Sequence, residues 1–176
     1  MNTTTEKEIK LNLGSGGAPL EGYANVDSNP KAPAVSVVHD LDVYPWPFED
    51  NSVAEILMNH CLEHLTDHNR AMKEIHRILK PGGKAKITVP HFTWQYAFID
   101  PTHKHFFGHR TFYYYAGDCG YFDFQFSRCS AKIVFGKTLS VWNYLIEPFA
   151  NLFPNVYEQS PLRMFPAIHV EAVLVK

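Results

Sequence analysis

A chain of 176 residues, 45% hydrophobic and 14% aromatic, has the content of one compact domain and can bury roughly 70% of the surface that its unfolded form exposes. Sixteen basic and eighteen acidic side chains leave a formal charge of -2 with no basic block, which argues against nucleic acid as a partner. Cys61, Cys119 and Cys129 form no CxxC pair and no even disulfide framework, the N-terminal stretch MNTTTEKEIK lacks an apolar signal core, and no run approaches the ~18 apolar residues of a membrane span; the expectation is a cytoplasmic protein in a reducing compartment.

Short apolar runs alternate with turn residues through the first half, at 9–14, 23–27, 35–40, 53–60 and 84–90, the rhythm of buried strands in a parallel sheet. Gly14-Ser15-Gly16-Gly17 follows the first run directly. Only nine residues, Gly14 to Gly22, separate the first two runs, fewer than the dozen or so of a parallel crossover that contains a helix, so the first helix is very short or absent. In DHNRAMKEIHRILKPGG the residues Ala71, Ile75, Ile78 and Leu79 fall near helical spacing, and Pro81-Gly82-Gly83 predicts the stop. Strand, helix and strand there make a βαβ unit.

From His91 to Cys129 the chain is dense in His, Phe and Tyr without a clean period, and is read as irregular or short-helical, covering something. A strand is predicted at 131–136, a helix perturbed at Pro148 over 138–153, and a last strand at 167–176. No repeat, linker or low-complexity stretch interrupts the chain, so 1–176 reads as a single domain.

A glycine turn after a first strand lets backbone N–H groups approach a ligand, and an acid ending the second strand can accept both hydroxyls of a ribose. Gly14-Ser15-Gly16-Gly17 and Asp27 supply both parts, although for the pair alone a plain glycine loop is the readier account. His39-Asp40-Leu41 then closes the third run, PWPFEDNSVAEILMNHCLEHL leads into and beyond the fourth, and EIHRILKPGGKAKITVP follows. In this order and spacing the chain resembles the class I S-adenosylmethionine-dependent methyltransferases, in the branch labelled methyltransferase type 11, most strongly over 9–90.

That resemblance implies an α/β, Rossmann-like sandwich with a mostly parallel seven-stranded sheet whose last strand is antiparallel. It implies S-adenosyl-L-methionine as cofactor, a cofactor-binding half at 9–90, a substrate-covering insertion at 91–130, and closing strands and helix at 131–176. Gly14, Ser15 and Gly16 would border the methionine part, Asp27 would hold the ribose, Asp40 and Leu41 would meet the adenine, and Asn59 and His60 would flank the sulfonium. Two positions depart from the family pattern: Asn12 stands where an acid is usual, and Ala18 where a third glycine is usual.

Methyl transfer is an in-line displacement, accelerated largely by holding the acceptor close and aligned. Where the acceptor is a hydroxyl or protonated amine a base helps, and His91, just past the fifth strand, is the first candidate, followed by Asp100 and His103. A hydrogen-bonded loop side chain is the plain alternative for each. No metal ligands are assigned, because His103-x-His105-x-x-x-His109 with His91 and Asp100 matches no specific site, and HCLEH, with His60 and His64, is not HExxH. The aromatic residues between Phe92 and Tyr115 read as core or as an apolar lid. The expected function is methyl transfer to a small-molecule acceptor. The alternatives are a catalytically inactive binding or regulatory relative, and a metal-dependent enzyme built on His91, His103, His105 and His109. No motif specifies an oligomeric state.

Overall fold

The computed structural model describes residues 8–117, 120–137 and 141–176. Cys119 and the predicted helix start at 138–140 lie outside the described residues. Seven strands form one sheet in the order β3-β2-β1-β4-β5-β7-β6: β1 Ile9–Leu13, β2 Ala24–Asp27, β3 Val35–Val38, β4 Val53–Asn59, β5 Leu79–Pro90, β6 Arg128–Val134 and β7 His169–Val175. The first five pair in parallel, and β7 runs antiparallel between β5 and β6. All seven predicted strands are present.

Cross-strand register explains which face is buried. Leu11, Ile56, Ala85 and Leu174 stand in one row, and Leu13, Met58, Ile87 and Ala172 in the next, each side chain at most 1% exposed. Helix α1, His68–Ile78, lays Ala71, Met72, Ile75 and Ile78 on this face, and Phe107, Phe112, Tyr115 and Phe126 complete the same core. Asp67 caps α1 by accepting from the Arg70 N–H at 2.9 Å, the usual way an N-terminal donor is satisfied. The helix ends at Ile78 rather than at the proline, because Leu79 is already extended and pairs with Val53.

The opposite face carries Lys10, Asn12, Asn25, Glu55, Lys84, Lys86, Glu171 and Lys132 by the same register. Glu55 is bridged by Lys86 at 2.5 Å and Lys10 at 3.5 Å. A parallel sheet ordinarily buries both faces; here the first face is buried, whereas on the second Asn12 and Asn25 are covered but Lys84, Lys86 and Glu171 are exposed. The connections β1–β2, β2–β3 and β3–β4 contain no helix, so the first helix is absent and no helix from these connections covers this face.

Among its described residues, the segment 91–127 holds only a four-residue helix α2, Tyr96–Ile99, and a 3-10 turn at Thr111–Tyr115, as its irregular pattern predicts. Its aromatic residues divide: Phe107, Phe112 and Tyr115 are core, whereas Tyr96, Phe106 and Tyr114 are exposed. Helices α3, Asn143–Leu152, and α4, Pro154–Gln159, follow β6. Instead of covering the sheet, α3 lies along its edge, where Asn151 accepts from the Ile133 N–H and donates to the Ile133 carbonyl, both at 2.8 Å. One side-chain amide thereby replaces a missing strand neighbour. Among the described residues no helix is long and apolar enough to cross a membrane.

Candidate active site

The carboxyl ends of β1 to β4 open onto a cavity of about 330 Å³. Of the residues expected at the cofactor, Gly14, Asp27, Asp40, Leu41 and His60 line it; Ser15, Gly16 and Asn59 do not. Ser15 is buried beneath the turn, its N–H donating to the Val26 carbonyl at 3.0 Å. Gly14 has φ +65, and a Cβ there would lie 2.4 Å from Cys61 Sγ, so this position requires glycine for both conformation and space.

Carboxylates dominate the wall. Asp27 accepts from the Gly16 N–H and the Asn29 N–H, each at 2.8 Å. Asp40 accepts from the Asp42 N–H at 2.9 Å, which turns Asp42 into the wall. Burial opposes ionisation of Asp42, but the Thr66 N–H and hydroxyl, at 2.7 and 2.8 Å, and the Lys104 ammonium hold its carboxyl below the usual range. Burial first, and then the nearby Glu63, Asp27 and Asp42, push the Cys61 thiol up to about 12, which keeps it protonated and unreactive.

Histidines form the remaining rim. His39 Nε2 donates to the Val43 carbonyl at 2.9 Å. His60 adopts φ +48 just past β4, a left-handed conformation uncommon outside glycine and concentrated at functional turns. His64 also lines the cavity; it belongs to the 3-10 turn Leu62–His64. Asp42 and His64 join this wall without a motif that marks them. Asp42 follows Leu41 directly, and His64 stands four residues after His60 in HCLEH, a spacing that is not HExxH.

The three candidate bases occupy different settings. His91 does not line the cavity: it is fully buried, its Nε2 stands 3.0 Å from Glu158 Oε1, and its Nδ1 stands 2.8 Å from Thr93 Oγ1. The same Glu158 oxygen accepts from the His109 N–H at 2.7 Å. Burial works against the Glu158 charge, yet these donors hold its carboxyl below the ordinary value. His91 thus ties β5 to α4. Asp100 accepts from Thr102 Oγ1 at 2.6 Å, and Thr102 Oγ1 lies 2.9 Å from His64 Nδ1, while His103 meets His64 ring to ring at 4.7 Å. Asp100 and His103 are therefore brought beside the cavity wall, and His91 is not. The grouping of His91, His103, His105 and His109 does not form either, since His105 Nε2 reaches the Leu65 carbonyl and His109 Nε2 the Ala131 carbonyl.

A larger cleft of about 660 Å³ lies between α1 and residues 121–124. It includes no strand end, and Lys73 and Asp123 bridge across it, so the smaller cavity is the candidate site.

The strand order and this placement of the cavity define the fold of the class I S-adenosylmethionine-dependent methyltransferases, as the motifs of the first half imply. Residues 22–87 match the family model described as a methyltransferase domain. Among curated proteins, a 2-phytyl-1,4-naphtoquinone methyltransferase of Nostoc punctiforme is 42% identical over 55 residues, 31% of this chain and 24% of that protein. Phosphoethanolamine N-methyltransferase 2 of Caenorhabditis elegans is 38% identical over 48 residues, 27% of this chain and 11% of that protein. The matched segments thus span a quarter or less of these relatives. Among solved structures, a SAM-dependent methyltransferase from Archaeoglobus fulgidus superposes with a TM-score of 0.64 at 16% identity, covering 96% of this chain and 86% of that one. Phosphoethanolamine N-methyltransferase 2 of Haemonchus contortus, in complex with S-adenosyl-L-methionine, gives 0.60 at 18% identity over 96% of this chain and 48% of that one.

Proposed function

We propose that the cavity beyond β1 to β4 holds S-adenosyl-L-methionine and that the protein transfers its methyl group to a small-molecule acceptor. The charge of the cavity carries this reading: Asp27, Asp40 and Asp42 line it, with no lysine or arginine. Such a wall favours a sulfonium cation and a ribose, and disfavours the phosphates of a dinucleotide. Asp27 is suited to the ribose hydroxyls, Asp40 and Leu41 to the adenine, and the Gly14 turn to the methionine portion, with Ser15, Gly16 and Asn59 at the margin.

Bound there, the cofactor supplies an electrophilic methyl carbon. What this chain contributes is position: Gly14 admits close approach, His60 is held in its left-handed turn, and His64 presents a ring at the wall. For an acceptor that must lose a proton, His64 is the base the geometry favours, with Thr102 and Asp100 behind its Nδ1. Small acceptors accord with the quinone and phosphoethanolamine named for the relatives, and two thiols without disulfide partners, Cys61 and Cys129, suit a reducing cytoplasm.

Calorimetry with S-adenosyl-L-methionine, followed by detection of S-adenosylhomocysteine against a panel of hydroxyquinones and phosphorylated amines, tests the proposal. Binding with turnover on one acceptor is expected. Absence of binding at millimolar cofactor overturns it, and binding without turnover on any acceptor favours a binding or regulatory protein.

A further inference from the structure

We propose that Glu63, His64 and His103 form a binding site for a divalent transition metal of the zinc class, set against the wall of the cavity. One ligand atom from each lies within 4.8 Å of the others. A tetrahedral zinc site has ligand atoms ~3.4 Å apart, so closing the triad asks each side chain to move less than ~1 Å.

Glu63 supplies the independent reason to expect a cation. Its side chain is 1% exposed, and neither carboxylate oxygen has a hydrogen-bond partner. His60 Nδ1 stands 3.3 Å from Glu63 Oε1 but without hydrogen-bonding geometry. Buried carboxylates are paired or bound to metal, because an isolated one loses its hydration without compensation.

Hydrogen bonds fix one nitrogen of each imidazole and leave the other available. His103 Nδ1 lies 3.2 Å from the Ala97 carbonyl, which can only accept, so the proton sits on Nδ1, and Nε2, 3.8 Å from Asp100 Oδ2, is the nitrogen left to ligate. Thr102 commits its single hydroxyl proton to Asp100 Oδ1 at 2.6 Å, and its oxygen therefore accepts from His64 Nδ1 at 2.9 Å. His64 Nε2 is again left as a lone pair. Fixing one ring nitrogen through an outer acceptor so that the other can ligate is the arrangement metal-binding histidines use.

Two imidazoles and a carboxylate are borderline-soft donors that suit Zn²⁺, and three protein ligands leave a position open. Because His64 lines the cavity, the open position would meet a methyl acceptor and ease loss of its proton; in the metal-bound form this takes the place of His64 as base, since the His64 Nε2 lone pair is then committed to the metal. That consequence rests on the methyl-transfer reading; metal binding does not.

The test uses the whole protein, stripped with a chelator and titrated with Zn²⁺ against a chromophoric competitor, with Co²⁺ as the optical probe. One equivalent bound with a Kd tighter than about 10 μM, and the intense visible absorption of four- or five-coordinate Co²⁺, are expected. His103→Ala should weaken Zn²⁺ binding more than ~100-fold, and Thr102→Val, which removes the acceptor behind His64 together with the hydroxyl's bond to Asp100, by about 10–100-fold. Glu63→Gln, of matched volume, should abolish binding, and His105→Ala should leave it unchanged; circular dichroism confirms that each variant is folded. Wild-type Kd weaker than about 10 μM, or folded His103→Ala and Thr102→Val proteins binding as tightly as wild type, overturns the site. Calorimetry with S-adenosyl-L-methionine on the same stripped protein separates the two readings, since loss of either activity alone removes only its own.

Discussion

Asp27 spends both carboxylate oxygens on backbone donors, Gly16 and Asn29 at 2.8 Å each, and still faces the cavity. A carboxylate offers about four lone-pair positions, so holding the glycine turn and accepting ribose hydroxyls are compatible tasks. Asp27→Ala should weaken cofactor binding by about 1–3 kcal/mol through lost charge-assisted hydrogen bonds. Calorimetry reads the affinity and urea unfolding the stability; a purely architectural Asp27 would lower the second alone. Gly14→Ala is a different kind of change, since it brings a Cβ to 2.4 Å from Cys61 Sγ at φ +65. It should cost more than about 1 kcal/mol in urea unfolding, and an unchanged midpoint would mean the turn can relax away. Both residues are legible in the sequence because a glycine turn and a strand-end acid recur at fixed offsets. Glu158 is not, because its tie to His91 spans 67 positions and no local pattern announces it.

At the scale of elements, three connections without helices need another means of holding the strands. Side-chain hydrogen bonds supply it. Asn12 Nδ2 donates to Asn25 Oδ1 at 2.9 Å and to the Ala18 carbonyl at 3.1 Å, while Asn25 Oδ1 accepts from the Leu20 N–H at 2.9 Å and Asn25 Nδ2 donates to the Ala34 carbonyl at 3.3 Å. These two amides close the β1–β2 and β2–β3 connections. In the third, Arg77 pairs with both Glu74 oxygens at 2.9 and 2.7 Å and donates to the Phe48 and Trp46 carbonyls, and Glu74 accepts from the Trp46 N–H. The network accounts for Asn12 in place of the usual acid: both of its partners accept, and a carboxylate has nothing to donate. Asn12→Asp should therefore destabilise the protein by about 2–4 kcal/mol, two lost hydrogen bonds plus facing acceptors; urea midpoints near wild type would show that the turn does not depend on it. The nine-residue spacing of the first connection made the missing helix legible, and Val, Ile and Leu runs made every strand so. The partly open second face was not, although Lys10, Glu55, Lys84 and Lys86 alternate with apolar residues in β1, β4 and β5, because the parallel order suggested cover on both sides.

Across the whole molecule, burial gathers mainly on one face of the sheet, with a second cluster of Ile133, Phe135, Ala150, Tyr157 and Ala167 beside α3 and α4, and titratable groups are carried into these clusters or to their margins. Burial lowers the pKa of His68, His76, His109 and His169, with Lys176 adding to the effect at His76. Each is therefore held neutral in the fold at a pH where the unfolded chain, titrating near the ordinary value of about 6.5, takes up a proton. The unfolded state binds more protons in that interval, so stability is fully present above about pH 6.5 and falls as pH drops through the depressed folded values. Glu147 and Glu158 add a second, lower interval with the same sign. Burial disfavours their charge, but the Phe135 N–H and Lys137 at Glu147, and His91 and the His109 N–H at Glu158, outweigh it and lower both values. Their contribution is present above the ordinary value of 4.5 and is lost as pH falls below it. Urea midpoints measured from pH 8 downward should accordingly decline in two stages, the first opening below about pH 6.5 and the second below about pH 4.5. A midpoint that stays level between pH 8 and 5, or that rises on acidification, would mean these histidines are solvated and protonated within the fold, and that the aromatic segment covering the sheet is looser than its packing indicates.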